Sequence, residues 1–319
     1  MDSNINIMVT VCIFTYNQQK WIRDAIESVL AQKTDYNFEI IIGEDCGSDD
    51  TRKICEEYAQ KHTNIKLLSS DKNHGVASNW IRCVKAGTGK YIMTCAGDDY
   101  WHNPQKIQLQ VDFMEQHPMC VMSFTDLNKF YEKSGKLERN VIESNGIVPA
   151  QGRIQKDLLH GSTGISAVTT CIRRDMFEKY VPIEKYAKFP REDWPTWIIL
   201  SAHGDILYIP ISTATYRVGQ ESITRTSDYD TILSRARQDK EMTRYLYSLF
   251  PELGPFADEE YFNNIGIHVA LNAAYRNNDY AAAKRFAQED KLPTWATRMA
   301  RTKLTFKLFR LMRLRRYEK

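Results

Sequence analysis

Four pairs of neighbouring acids stand out in the sequence: Glu44-Asp45, Asp49-Asp50, Asp98-Asp99 and Glu192-Asp193. Adjacent carboxylates are ordinary on a solvated face, so the setting of each pair has to argue for chemistry. Asp98-Asp99 directly follows the apolar run YIMTCAG and is trailed by Tyr100 and Trp101, an unusual place for acids that serve only solubility. Two carboxylates at a strand end make a hard-oxygen site suited to Mg²⁺ or Mn²⁺, which bind through one or two carboxylates plus substrate phosphates. An acidic mouth alone repels phosphate, and a bridging divalent cation reverses that sign. Neither G-x-x-x-x-G-K-[ST] nor a G-x-G-x-x-G after the first strand is present, so the usual glycine-rich phosphate cradles are absent and a metal is favoured. Glu192-Asp193 lies in FPREDWPTW. There Trp194, Pro195 and Trp197 would exclude water, and Arg191 could offset a buried charge. A carboxylate kept ionised in such surroundings can act as a general base; the alternative is a salt-bridged loop.

The elements that must position these acids read as alternating strands and helices. Ile7–Phe14 is an apolar, β-branched run, followed by the turn Thr15-Tyr16-Asn17 and by Ile22, Ile26, Val29 and Leu30 at helical spacing. Phe38–Gly43 predicts a second strand, with Ser48 or Asp49 capping a helix through about His62. Ile65–Ser69, Tyr91–Cys95 and Val121–Thr125 predict further strands, Val76–Ala86 a helix, and Pro104 the first turn of another. Such alternation implies right-handed crossovers and a largely parallel sheet covered on both faces. In these sheets ligands sit beyond the carboxyl ends of the strands, where Asp45, Asp98 and Asp99 fall. Residues 127–165 are polar and Gly/Ser-punctuated, reading as a long loop region with at most short added strands. Ile206–Ile209 and Thr213–Arg217 predict two later strands, and the chain is helix-rich beyond about Ser227.

The composition is that of a globular protein: 319 residues, 43% hydrophobic and 26% charged, which excludes disordered and collagen-like classes. No apolar stretch approaches the roughly 20 residues of a membrane-spanning helix. The first residues lack the basic region of a signal peptide. The seven cysteines are scattered without C-x-x-C spacing, which argues against a disulfide framework or structural zinc and for small core residues in a reducing, cytoplasmic compartment. The net charge of +3 conceals an asymmetry: from Arg298 to Lys319 nine basic residues oppose one acid, a local +8, leaving −5 for the rest.

Taken in order, these segments resemble glycosyltransferase family 2, the inverting GT-A-fold group that builds bacterial polysaccharides. VTVCIFTYNQQKWIRDAIESVLAQ resembles its opening strand, turn and helix, and IIGEDCGSDDT the segment whose acid recognises the nucleotide base. Asn73-His74-Gly75 with Asn79 resembles the next family element, and GKYIMTCAGDDYW the strand ending at the metal site. REDWPTW resembles the late segment carrying the base, and HGDILYI with YRVGQESIT the closing strands. The resemblance covers about residues 6–220. It implies a GT-A nucleotide-diphospho-sugar transferase fold, α/β and mostly parallel, over 1–226, with a nucleotide-binding half (1–126) and an acceptor half (127–226), followed by a helical C-terminal region over 227–319.

Position by position, the resemblance implies that Phe14 and Thr15 line the nucleotide pocket and that Asp45 accepts a hydrogen bond from the base. It places Asp98 toward the ribose or metal, Asp99 on the Mn²⁺ or Mg²⁺ beneath the diphosphate, and Asp193 as the base that deprotonates the acceptor hydroxyl. The donor is a nucleotide-diphosphate sugar, UDP being the family's commonest base. The acceptor is a glycan or polyprenyl-linked sugar. Two departures matter. Ala96 stands where many members carry another acid, and no histidine lies near Gly219, leaving His203 as a weak substitute ligand. Tyr100-Trp101 either borders the acceptor site or supports the metal-binding turn. Two rival classes are a non-catalytic sugar-nucleotide binder and a sugar nucleotidyltransferase. The first would be expected to lose Asp99 or Asp193, and the second to carry a Gly-rich basic loop where FTYNQQKW stands. In the tail, Leu304, Leu308, Leu311 and Met312 share one helical face, opposed by Lys307 and Arg310. Residues 298–319 therefore read either as a helix lying on an anionic membrane surface or as one packed on its own domain. Nucleic-acid binding is disfavoured by the acidic body, and composition leaves the oligomeric state undecided.

Overall fold

The structure, a computed structural model, describes residues 6–159, 164–219, 228–253 and 259–317. The chain divides into two compact units, Met1–Gly219 and Gln220–Lys319. The sequence-based boundary at 226/227 falls outside the described residues.

The first unit opens with β1 (Val9–Thr15), α1 (Ile22–Leu30), β2 (Phe38–Glu44), α2 (Thr51–Lys61), β3 (Ile65–Leu67), α3 (Val76–Ala86), β4 (Tyr91–Thr94) and α4 (Lys106–Gln116). Strands β3, β2, β1 and β4 lie side by side and parallel. Val9, Val11, Cys12 and Ile13 of β1 are buried, as expected of a strand covered on both faces, which reads as a continuous apolar run. Helix α1 buries Ile22, Ala25, Ile26 and Val29, an i, i+3, i+4, i+7 stripe. Neither Ser48 nor Asp49 caps α2: the residue before the helix is Asp50, whose side chain makes no capping bond, while Asp49 Oδ1 accepts from the Thr51 N–H at 3.0 Å from one position earlier.

The second half of this unit differs from the sequence reading. β5 runs from Cys120 to Tyr131, well past Thr125, and turns through Gly135 (φ +67°) into β6 (Lys136–Glu138). The short helices α5 (Val141–Ser144) and α6 (Gln155–Leu159) follow, so much of 127–165 is ordered structure. Buried polar residues hid the strand's pattern. Asp126 accepts from the N–H groups of Leu127, Ile142 and Glu143, and the Asn128 amide oxygen accepts from the Asn140 N–H. β7 (Thr170–Arg173) enters antiparallel between β4 and β5 and is followed by α7 (Arg174–Tyr180) and α8 (Asp193–His203). The two expected later strands form one, β8 (Asp205–Val218), parallel to β5. Its register shifts opposite Thr125–Leu127, around Pro210, which has no N–H to give the ladder. Among the described residues the sheet has eight strands.

The second unit contains only helices among its described residues: α9 (Tyr229–Leu249), α10 (Glu259–Arg276), α11 (Tyr280–Glu289), α12 (Trp295–Met299) and α13 (Lys303–Tyr317). Its core gathers Leu271, Tyr275, Phe286, Phe306 and Phe309 around Ala270, Ala273, Ala274 and Ala283. A Cβ on Gly266 would stand 2.6 Å from the Ala236 Cβ, so glycine there lets α10 approach α9. No described helix is long and apolar enough to cross a membrane.

Candidate active site

The carboxyl ends of β1, β2 and β4 are tied together by main-chain hydrogen bonds. Phe14 C=O accepts from the Gly97 N–H at 3.1 Å and Thr15 C=O from the Asp45 N–H at 3.0 Å. This brings Phe14, Thr15, Asp45, Asp98 and Asp99 to one rim. Asn17 and Cys46 both adopt left-handed backbone there (φ +53° and +60°), which makes the chain leave each strand sharply. Thr15 Oγ1 donates to Gln18 Oε1 at 2.8 Å. A Cβ on Gly97 would come within 2.5 Å of both side chains, so only glycine permits this approach.

Asp45 is buried and already engaged. Its two oxygens accept from the His74 and Gly75 N–H groups, each at 2.8 Å, and Arg82 Nη1 lies 3.9 Å from Oδ1. Gly75 has φ +82°, a conformation that glycine adopts without strain. Asn79 Nδ2 donates to Gly43 C=O at 2.6 Å, so the Asn73-His74-Gly75 segment and Asn79 are pinned to the end of β2. Glu44, the buried neighbour, accepts from the Gly47 N–H at 2.6 Å and holds the turn that follows.

Asp99 is buried and its Oδ1 accepts from the Arg217 N–H at 2.9 Å. Burial, then the neighbouring Asp98 charge, pushes its carboxyl well above the ordinary range. Burial likewise raises Asp98, against the opposing pull of Gln18 and Arg217. Arg217 does not stand out in the sequence, yet it organises this turn. Its Nε donates to Asp98 C=O at 2.8 Å, its Nη2 to Asp24 Oδ2 at 2.9 Å, and its Nη1 lies 4.0 Å from Glu132 Oε1. The guanidinium covers the Tyr100 and Phe130 rings. The only sequence clue is a lone arginine ending an alternating strand. Tyr100 and Thr215 exchange main-chain bonds at 3.3 and 2.8 Å, clamping the turn to β8. Trp101 is buried beneath it with Lys106 Nζ 5.2 Å from its ring centroid. Of the two roles open to Trp101, the structure therefore shows support of the turn. Lys106 is buried, bonded to Gln110 and Thr213, and pushed down to about 7 by desolvation.

Asp98 and Asp99 fit a divalent cation. They are adjacent hard-oxygen donors whose ionisation is opposed by burial and by each other, and a cation relieves both penalties. Among the described residues no three acidic, histidine or cysteine side chains are grouped to hold a metal by themselves, so remaining ligands would be diphosphate oxygens and water. His203 is at the far end of α8 from Asp193, its ring stacked on Tyr180 at 3.6 Å.

Asp193 begins α8, outside the β1, β2 and β4 strand ends that carry the other five residues; its Oδ1 accepts from the Trp194 N–H at 2.6 Å. Burial raises its pKa, opposed by that N–H and by Arg191. Glu192 is buried and is pushed up to about 8, chiefly by desolvation and then by the charge of Asp193. The indoles of Trp194 and Trp197 donate to Leu158 C=O and Ile165 C=O at 3.0 and 3.4 Å, fixing apolar walls around the helix start.

An open α/β sheet with a carboxylate-bearing rim at the ends of β1, β2 and β4 defines the GT-A class of fold. The chain belongs to one family of that class: the profile described as Glycosyl transferase family 2 matches residues 10–181. Among its relatives, an uncharacterised protein of Mycobacterium tuberculosis is 28% identical over 66% of this chain and 58% of its own length. The chain thus spans well under two thirds of that relative. TuaG of Bacillus subtilis, named as a putative teichuronic acid biosynthesis glycosyltransferase, is 27% identical over 70% of this chain and 83% of its own. Two solved structures share the fold: S. aureus TarS 1–349 in complex with UDP-GlcNAc (TM-score 0.52, 15% identity, 89% of this chain and 84% of that one), and the mannosyltransferase PcManGT of Pyrobaculum calidifontis in complex with GDP-Man and Mn²⁺ (TM-score 0.51, 14% identity, 95% and 83%).

Proposed function

We propose that this protein transfers a sugar from a nucleotide-diphosphate sugar, UDP-linked in the first instance, to a hydroxyl of a glycan or polyprenyl-linked acceptor in polysaccharide biosynthesis, with inversion at the anomeric carbon. The observation that carries this reading is the rim on which Phe14, Thr15 and Asp45 adjoin the electrostatically strained Asp98-Asp99 pair. The family relationship and the nucleotide-sugar complexes of the fold's neighbours support it.

Phe14 and Thr15 would flank the base and Asp45 would receive one of its N–H groups. A carboxylate oxygen has more than one acceptor site, so the two main-chain bonds already made leave room for another. Asp98 and Asp99 would hold Mn²⁺ or Mg²⁺, which when bound supplies positive charge to the departing diphosphate. Asp193 would take the acceptor hydroxyl proton as that oxygen forms its bond to the anomeric carbon and the bond to the diphosphate oxygen breaks. One displacement without an enzyme nucleophile inverts configuration. Glu192, pushed up to about 8, keeps its proton at neutral pH and leaves the negative charge to Asp193. The N-terminus of α8 favours an anion at that position.

Thermal unfolding with UDP, GDP, dTDP or CMP, each with and without Mn²⁺, tests this. Ligand at 100 times its dissociation constant adds about 2.7 kcal/mol, several degrees for a protein of this size. A Mn²⁺-dependent shift with one nucleotide, lost in Asp99→Asn, is expected. Indifference to every nucleotide with and without metal would overturn the reading.

A further inference from the structure

Helix α13 has two unlike faces. Phe306 and Phe309 are 1% and 7% exposed, and both pack on Tyr275 with ring centroids 4.7 Å apart. Leu304, Leu308 and Leu311 follow i, i+4, i+7 spacing and turn away from that core, 70%, 49% and 55% exposed, with Met312 beside them at 46%. The helix is therefore docked in its unit by aromatics while it displays a second apolar row. An amphipathic helix that merely completes a core has no need of that row.

Cations frame the leucines. Lys303 and Lys307 are exposed on α13, Lys307 standing one turn before Leu311 and so at the edge of the row rather than opposite it, and Arg298 and Arg301 are exposed just before the helix. Among the described residues none of the four makes an ion pair, although acids are plentiful elsewhere. The segment carries +8 against −5 for the remainder of the chain. An occupant must accept apolar side chains and supply negative charge over an extended area. A second copy supplies leucines but also the same +8, so it opposes itself electrostatically.

We propose that the Leu304–Leu308–Leu311 row with its flanking lysines and arginines is a docking surface for an anionic phospholipid bilayer. The leucines enter the boundary between headgroups and acyl chains, Phe306 and Phe309 keep the helix attached to its own unit, and the lysines meet the lipid phosphates. Near such a surface each cation contributes roughly fivefold in partitioning, and the effect is screened by salt.

Sedimentation of the full chain with phosphatidylcholine vesicles, and with vesicles containing about 30% phosphatidylglycerol, tests this at about 0.1 M and about 0.5 M NaCl. The protein is expected to pellet with the anionic vesicles at low salt and to be released at high salt. Lys303→Gln with Lys307→Gln should lower the partition about 25-fold. Leu304→Gln with Leu308→Gln should abolish pelleting while circular dichroism and melting temperature stay unchanged, since both side chains are exposed. Wild type that stays in the supernatant overturns the proposal, as does equal pelleting with both vesicle types. So does a wild-type dimer in analytical ultracentrifugation that the leucine variant converts to monomer without change in pelleting. None of these readouts depends on nucleotide binding, so this surface and the transfer reaction stand or fall separately.

Discussion

Asp45 and Glu192 are both buried acids of the same α/β unit, yet the regions around them are built on opposite terms. At the ends of β1 and β2 the main chain is bent to serve the carboxylates: His74 and Gly75 give their N–H groups to Asp45, and Gly47 gives its own to Glu44. At the start of α8 the pair Glu192-Asp193 has the Trp194 N–H and the Arg191 charge in its favour, yet desolvation outweighs them and raises both carboxyls. The first region fixes its carboxylates by main-chain hydrogen bonds. In the second desolvation dominates, which is the setting the proposed base at Asp193 would need, because a desolvated carboxylate binds a proton more tightly.

The largest expected effect tests the desolvated side. Asp193→Asn should lower kcat by about 10²–10⁴-fold while leaving the Mn²⁺-dependent nucleotide shift at its wild-type size. Equal loss of both would erase the distinction between the two regions. Glu192 offers an intermediate effect. Its folded pKa of about 8 lies above the ordinary 4.5, so between those values the folded chain binds more protons than the unfolded one. Stability then falls as pH rises through that window and levels off above it. Glu192→Gln should flatten this slope, gaining on the order of a few kcal/mol over wild type at pH 8–9 and little at pH 4–5. Coincident pH profiles of melting temperature for the two proteins would count against it. The smallest effect is on the rim: Asp45→Asn retains one acceptor and should cost about 1–3 kcal/mol in nucleotide binding and stability, with kcat at saturating donor near wild type. A variant that bound nucleotide normally but lost turnover would reverse the assignment.

What could be seen in advance follows from how each piece is encoded. β1, β2 and β4 are buried on both faces, so their apolar runs announce them, and acids placed directly after such runs fall on the rim by topology. β5 beyond Thr125 is obscured in the sequence because Asp126 and Asn128 are buried polar residues that accept from the N–H groups at the start of α5. β7 is four residues long and inserted between strands that precede it, and no local pattern reports an insertion. Arg217, Glu132 and Asp24 converge through pairings of distant segments, with Arg217 and Asp24 separated by 193 positions. Their contact is a product of sheet register, to which composition and spacing are blind.

That register has a further consequence at Asp99. The bond that orients its carboxylate comes from the main chain of residue 217, so side-chain replacement alone does not delete it. Its position depends instead on how many residues β8 spends passing Pro210, where the pairing with β5 skips from Ile209 to Ser212 and then to Ala214. Gaining or losing a single residue in that stretch would present a different N–H to Asp99 and reverse the facing of Arg217. In a lineage that drifts freely by substitution, the 209–214 segment should therefore keep its length more faithfully than its letters.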